Sequence, residues 1–226
     1  MSEHSAALAS VVIPAYNARA CLEEALRSVW EQDYRPVELI VVDDGSTDQT
    51  AEVAHAFRPP VRVLVQQHAG AGAARNAGAA AAEGSLLSFL DADDLWTPHA
   101  LARLANVLAG DPKLDLVFGQ VIEFRGTADG RLLERPPVSA MLPGTTLMRR
   151  SSFERVGGFR TDLRVGEFID WGARARELGL KAAILPAPVL RRRIHGENTG
   201  VRERNARGDY ATVVRDALKR RRGRGA

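Results

Sequence analysis

The sequence predicts an α/β fold, a single domain with one open, mostly parallel sheet and helices on both faces. Three observations predict it. Short, nearly all-apolar runs at 11–14, 38–42, 61–65 and 86–90 alternate with amphipathic or alanine-rich stretches. Such unbroken apolar runs suit strands covered on both sides, and their alternation with helices implies parallel crossovers. Polar residues then gather directly after the strands: Tyr16 and Asn17, Asp43 and Asp44, and Asp91, Asp93 and Asp94. Open α/β sheets bind ligands beyond the carboxyl ends of their strands.

Each element has a local reason. After the first strand, Asn17 reads as a cap, and Leu22, Ala25, Leu26, Val29 and Trp30 recur at helical spacing. Ser46 with Gln49 reads as a capping box opening a second helix. The alanine-rich stretch 71–82 is slim enough to lie close against a sheet, and Thr97-Pro98 reads as the cap and first position of a fourth helix. Further on, 114–124 predicts a strand with a turn near Asp129-Gly130. An apolar segment at 141–148 is broken by Pro143-Gly144, and Ser151 with Glu154 opens a short helix ending at Gly157-Gly158. A helix over 167–178 stops at Gly179, 182–185 is a late strand, 196–208 is polar and mobile, and 209–221 is a basic terminal helix.

Composition narrows the class. A chain of 226 residues suits one compact domain. The single cysteine, Cys21, excludes an internal disulfide framework and reads as a small buried hydrophobe. Glu3 and His4 interrupt any leader, and no run approaches the roughly 20 apolar residues of a membrane span. The expectation is a cytoplasmic protein. Residues 202–224 carry nine Arg or Lys against three acids, a local excess of +6, so the rest of a chain of net charge +3 is acidic. The basic tail reads as a solvated extension with weak attraction to phosphate-rich membrane surfaces and no specific nucleic-acid binding.

FLDADD at 89–94 is the sharpest motif. Three carboxylates in four residues repel one another unless a cation sits among them. Asp91 and Asp93, two apart where the chain leaves a strand, can both address one crevice. Mn2+ or Mg2+ takes hard oxygen ligands, typically one or two carboxylates plus substrate phosphates.

VVIPAYN at 11–17, VVDDGSTD at 41–48, ARNAG at 74–78 and FLDADD at 89–94 together resemble the inverting family 2 glycosyltransferases, in order and in spacing. The resemblance covers roughly 10–198. It implies a Rossmann-like, A-type nucleotide-sugar-binding fold. Residues 1–208 would form the transferase domain, with 10–110 the nucleotide-sugar half and 111–208 the acceptor-side half; 209–226 would be the basic helix and tail. It implies that Pro14, Ala15 and Tyr16 line the nucleoside pocket and that Asp44 accepts from the base. Arg75 would approach base or phosphate, and Asp91 and Asp93 would hold ribose and metal. An acidic residue at 44 favours the imide edge of a pyrimidine, hence a UDP-sugar, with a dTDP-sugar second.

The acceptor-side half should supply a base. On the helix over 167–178, Glu167, Asp170, Arg174 and Glu177 share a polar stripe. Asp170 faces Arg174 four residues on, so Glu167 reads as the freer carboxylate and the base, with Asp170 the alternative. The family pattern is Glu-Asp at this point, with the Asp as base; here Phe168 stands at that position. RRRIHGEN at 191–198 resembles the family's late Arg-x-His segment, making His195 a metal or diphosphate ligand. If extended, Arg191 and Arg193 alternate in direction, so that one of them, Arg193, faces the diphosphate. The competing readings are a sugar-nucleotide nucleotidyltransferase, disfavoured because Ala15-Tyr16-Asn17 stands where a glycine-rich basic loop is needed, and a non-catalytic nucleotide-sugar-binding protein.

Overall fold

The computed structural model describes residues 6–126, 131–196 and 206–223. The first half runs β1 (Ala9–Ala15), α1 (Leu22–Trp30), β2 (Val37–Asp43), α2 (Thr50–Ala56), β3 (Arg62–Val65), α3 (Ala71–Ala81) and β4 (Leu86–Phe89). The second half adds β5 (Leu95–Trp96), α4 (Ala100–Gly110), β6 (Leu116–Gly126), β7 (Leu132–Glu134), β8 (Val138–Ser139), β9 (Thr146–Arg149) and α5 (Arg150–Val156). It closes with α6 (Glu167–Glu177), β10 (Ala182–Arg193) and α7 (Arg207–Gly223). Among the described residues the strands form one sheet in the order β3-β2-β1-β4-β9-β6-β10-β5, with β7 and β8 also paired to β6.

The parallel sheet expected from the sequence is found in the first half, where β3, β2, β1 and β4 all run parallel. The second half is mixed. β9 lies antiparallel between β4 and β6, β7 and β8 fold back antiparallel on β6, and only β10 runs parallel to it. Strand periodicity divides the core into two layers. Val11, Ile13, Leu39 and Val41 face Leu22 and Leu26 of α1 and Leu101 and Leu104 of α4. Val12, Ile40, Val42 and Phe89 face Ala74 of α3, Phe153 of α5, and Phe168 and Trp171 of α6. Phe168, at the position where the family carries an Asp, is thus a core side chain in an aromatic cluster with Phe159 and Trp171.

The alanine and glycine content of α3 has a packing cause. A Cβ added at Gly78 would lie 2.2 Å from Val12 Cγ1 and 3.1 Å from Val42 Cγ2. Gly78→Ala should therefore destabilise the fold although alanine is the better helix former. Overpacking costs about 1–3 kcal/mol against a propensity gain of about 1 kcal/mol. A fall in Tm of up to roughly 8 °C is expected; a raised Tm would show that α3 shifts outward at no cost.

Several cap assignments change. Asn17, at φ 50°, caps no helix: its Oδ1 accepts from Thr47 N–H (2.8 Å) and its own N–H donates to Ser46 Oγ (2.9 Å). This ties the loop after β1 to the loop after β2 and removes Ser46 from the expected capping box. Asp48 takes over, its carboxylate accepting from Thr50 N–H at 3.0 Å. Helix α4 starts at Ala100, and the Thr97 hydroxyl donates to the Pro188 carbonyl (2.8 Å), fastening the end of β5 to β10. β10 runs well past 185, and its register shifts around Pro188 accommodate the prolines. The turn near Asp129-Gly130 and residues 197–205 of the polar stretch lie outside the described residues.

The terminal helix is not a solvated extension. α7 packs on α6 and buries Val213. The Asp209 carboxylate accepts from Arg164 N–H (2.8 Å), Asp216 pairs with Arg160 (2.7 Å), and Arg220 donates to Glu177 (2.8 Å). No helix among the described residues is long and apolar enough to cross a membrane.

Candidate functional site

A cavity of about 440 Å³ opens where β1, β2 and β4 end. Pro14, Ala15 and Tyr16 line it after β1, Asp44 after β2, His68 and Gly70 on the approach to α3, Arg75 from α3, and Asp91 and Asp93 after β4. The second half contributes Arg164, Arg192 and His195. Pro14, Ala15, Tyr16, Asp44, Arg75, Asp91, Asp93 and His195, picked from the sequence, are thus brought to one place.

At one end sits an aromatic and acidic corner. The Tyr16 ring stacks on the His68 imidazole at 4.1 Å between centroids, tilted by 26°. His68 Nδ1 lies 2.9 Å from an Asp44 carboxylate oxygen. The buried Asp44 carboxylate also accepts from Ala69 N–H (2.9 Å), Gly70 N–H (2.8 Å) and the Gln66 amide (2.6 Å). With four donors around it a carboxylate's acceptor sites are filled, so a new donor at Asp44 must take the place of one of these. The exposed imidazole is the easiest to move. His68 escaped the sequence reading, although it stands just after β3, where the strand-end rule applied to the other strands would have looked.

Behind this corner lies an ionic triad. Arg75 is 4% exposed, and its two terminal nitrogens donate to Asp91 Oδ1 (2.6 Å) and Glu167 Oε1 (2.5 Å). Burial works against the guanidinium charge, but Asp91 and Glu167 outweigh it and raise the arginine pKa further. The Arg75 Nε is buried with no hydrogen-bond partner among the described residues.

At the other end His195 Nε2 lies 2.8 Å from Asp93 Oδ2. Burial and the neighbouring Asp91 charge hold the Asp93 carboxyl above its ordinary range, partly offset by the His195 contact. A cation beside Asp93 would relieve that penalty. Asp94 also lines the cavity and is tied to β10, accepting from Arg193 N–H (2.9 Å), and burial followed by the charges of Asp91 and Asp93 pushes its pKa well up. Cys21 borders the cavity and is not a buried core residue. Burial first, then the Asp93 charge, lifts its thiol to about 11, so it stays protonated.

Three expectations need correction. Arg191 and Arg193 fall on the same side of β10, as strand period 2 requires, and both guanidiniums lie over the Phe124 ring at 4.7 and 5.0 Å. Arg193 reaches Glu24 and the Asp93 carbonyl, and it is Arg192, on the opposite side, that lines the cavity. Asp170 is 0% exposed, held by Arg174 (2.8 Å) with Arg220 at 3.4 Å, and fixes α6 to α7 away from the cavity. Glu167 is not the free carboxylate its position suggested: Arg75 holds it, and while Arg75 lines the cavity, Glu167 stands behind it and is not among the lining residues.

The donor set fits a divalent cation only in combination with a ligand. Asp93 and His195 meet, Asp91 is the adjacent carboxylate, and no cluster of three or more ligating side chains forms among the described residues. Oxygen atoms of a bound diphosphate would have to complete the shell, which is the usual habit of Mg2+.

The "Glycosyl transferase family 2" pattern matches residues 10–165. A glycosyltransferase of Nostoc sp. is 41% identical over 102 residues, covering 43% of this chain and 32% of its own length. A PGL/p-HBAD biosynthesis glycosyltransferase of Mycobacterium bovis is 34% identical over 184 residues, covering 76% of this chain and 70% of its own. The chain spans about a third of the length of the Nostoc and Rickettsia relatives it matches. S. aureus TarS 1–349, solved in complex with UDP-GlcNAc, superposes with a TM-score of 0.70 at 24% identity, covering 84% of this chain and 60% of that one. Together with the four motifs around one strand-end cavity, these matches place the chain in glycosyl transferase family 2, on the open α/β sheet of the A-type fold.

Proposed function

We propose that this domain moves a glycosyl unit from a UDP-sugar to an acceptor hydroxyl, with a divalent cation and inversion at the anomeric carbon. The observation that carries the reading is the cavity itself, which joins a flat ring, a buried carboxylate, a buried guanidinium and an Asp–His pair at the strand ends. The uracil ring takes the stacking place of His68 on Tyr16, and its imide N–H replaces the imidazole at Asp44. A thymine presents the same imide edge, so a dTDP-sugar ranks second. The TarS complexes with UDP and UDP-GlcNAc support this choice of donor.

Asp93 and His195, with Asp91 beside them, would hold Mn2+ or Mg2+; when bound, the cation offsets charge on the departing diphosphate. Arg75, Arg164 and Arg192 present further positive charge along the cavity wall. Glu167 is the proposed base. Among the described residues of the acceptor-side half it pairs with Arg75 of the cavity wall, whereas Asp170 is enclosed under α7. Attack by the acceptor from the face opposite the diphosphate gives inversion in one step.

Calorimetry with UDP and GDP in the presence of Mn2+ tests the reading. UDP should bind tighter by about tenfold or more, the worth of one hydrogen bond to a charged acceptor. Tighter GDP binding would overturn the base assignment, and binding of neither would overturn the donor class.

A further inference from the structure

The two faces of α7 differ in a way that packing on α6 does not explain. Its acids, Asp209 and Asp216, turn toward the body of the protein, to Arg164 N–H and Arg160, and Arg220 turns with them to Glu177. The outward face carries Tyr210, Val214 and Leu218 at successive i, i+4 positions, 41, 59 and 48% exposed. Arg215, Lys219 and Arg222 border them in the same shallow groove. A surface helix ordinarily turns its apolar stripe inward. Here Val213 packs against the domain, and a separate apolar stripe, bordered by cations, faces solvent.

We propose that α7 is a docking helix for an anionic phospholipid surface. Apolar side chains flanked by Lys and Arg on an exposed helical face form the pattern that lies in a bilayer interface, with the side chains entering the acyl boundary and the cations meeting lipid phosphates. None of the residues lining this groove is an acid, although Arg215 also pairs with Asp216 (3.8 Å) at its edge, and this cationic lining is the charge complementarity that selects a lipid phosphate surface over a second copy of the chain. Two copies meeting through this face would oppose Arg215, Lys219 and Arg222 to one another across the contact, a like-charge cost. The inference is independent of the donor identity, since none of these side chains borders the nucleotide cavity.

Co-sedimentation of the full chain with phosphatidylcholine vesicles, with and without phosphatidylglycerol, tests it. Binding is expected only to the phosphatidylglycerol vesicles and should weaken as salt is raised. Val214→Asp and Leu218→Asp should each lower the partition coefficient on the order of tenfold or more. Their Tm should stay close to wild type because both side chains are exposed. Lys219→Glu should act in the same direction, and Leu218→Trp should strengthen binding, a gain that unfolding could not produce. The proposal is overturned if the wild-type chain ignores anionic vesicles, or if the aspartate variants bind as well as wild type. It is overturned equally if the wild-type chain is a dimer by analytical ultracentrifugation that Leu218→Asp converts to monomer, since the face would then belong to a second copy.

Discussion

Asp93→Ala is expected to remove cation-dependent binding of UDP while leaving the fold intact. Asp93 is the carboxylate that meets His195; of its acidic neighbours among the described residues, Asp91 is already engaged by Arg75 and Asp94 by Arg193 N–H. Without Asp93 a cation keeps one imidazole and the diphosphate, too few protein ligands for useful affinity. The loss should be on the order of 10²-fold or more in affinity for UDP with Mn2+, beyond what substitutions around a metal site usually cost. Stability should move the other way. Burial and the Asp91 charge both penalise ionised Asp93, and Asp94 feels its charge as well, so the alanine variant should melt no lower than wild type. Calorimetry with and without Mn2+, alongside a thermal melt, reads both effects. Mn2+-dependent UDP binding equal to wild type would remove Asp93 from the metal site.

Glu167→Gln is expected to slow sugar transfer by roughly 10²-fold or more, the scale of losing a general base. Glutamine keeps an oxygen to accept from Arg75, and Arg75 keeps Asp91, so UDP affinity should stay within a few-fold. If UDP affinity instead falls in step with the rate, Glu167 positions Arg75 and the base lies elsewhere. Asp170→Asn provides the contrast. It removes a charge facing two arginines in a fully buried place, so its effect should appear as a lower Tm, with the rate per folded molecule preserved. A dead but fully folded Asp170→Asn variant would move the base to that helix turn.

What the sequence disclosed follows a physical pattern. β1, β2 and β4 are nearly unbroken apolar runs, and the residues that follow them are placed by the strand ends alone, so Tyr16, Asp44, Asp91 and Asp93 could be located with no knowledge of the rest. The fate of Asp170 could not be read, because it depends on Arg220, fifty residues further along and brought over by the docking of α7. That Arg191 and Arg193 share one side of β10 and Arg192 takes the other was legible from strand period 2. His68 was legible too, had the rule used for three strand ends been applied to the fourth. The antiparallel setting of β9 carries no local signature, for nothing in a four-residue apolar strand states which neighbours it will have.

That setting of β9 governs how the protein can move. β9 is hydrogen-bonded on one side to β4, whose end carries the acidic cluster, and on the other to β6, the scaffold of the second half. The two halves are therefore stitched by continuous backbone ladders and are not joined by a flexible hinge, and closing one onto the other as rigid bodies would break those ladders. Any adjustment around a donor falls to segments outside the ladders: the loops after β1 and β2, and His195-Gly196 after β10. Amide hydrogen exchange should accordingly show slow exchange across β4, β9 and β6 whether or not nucleotide is bound, with any nucleotide-dependent protection confined to those loops.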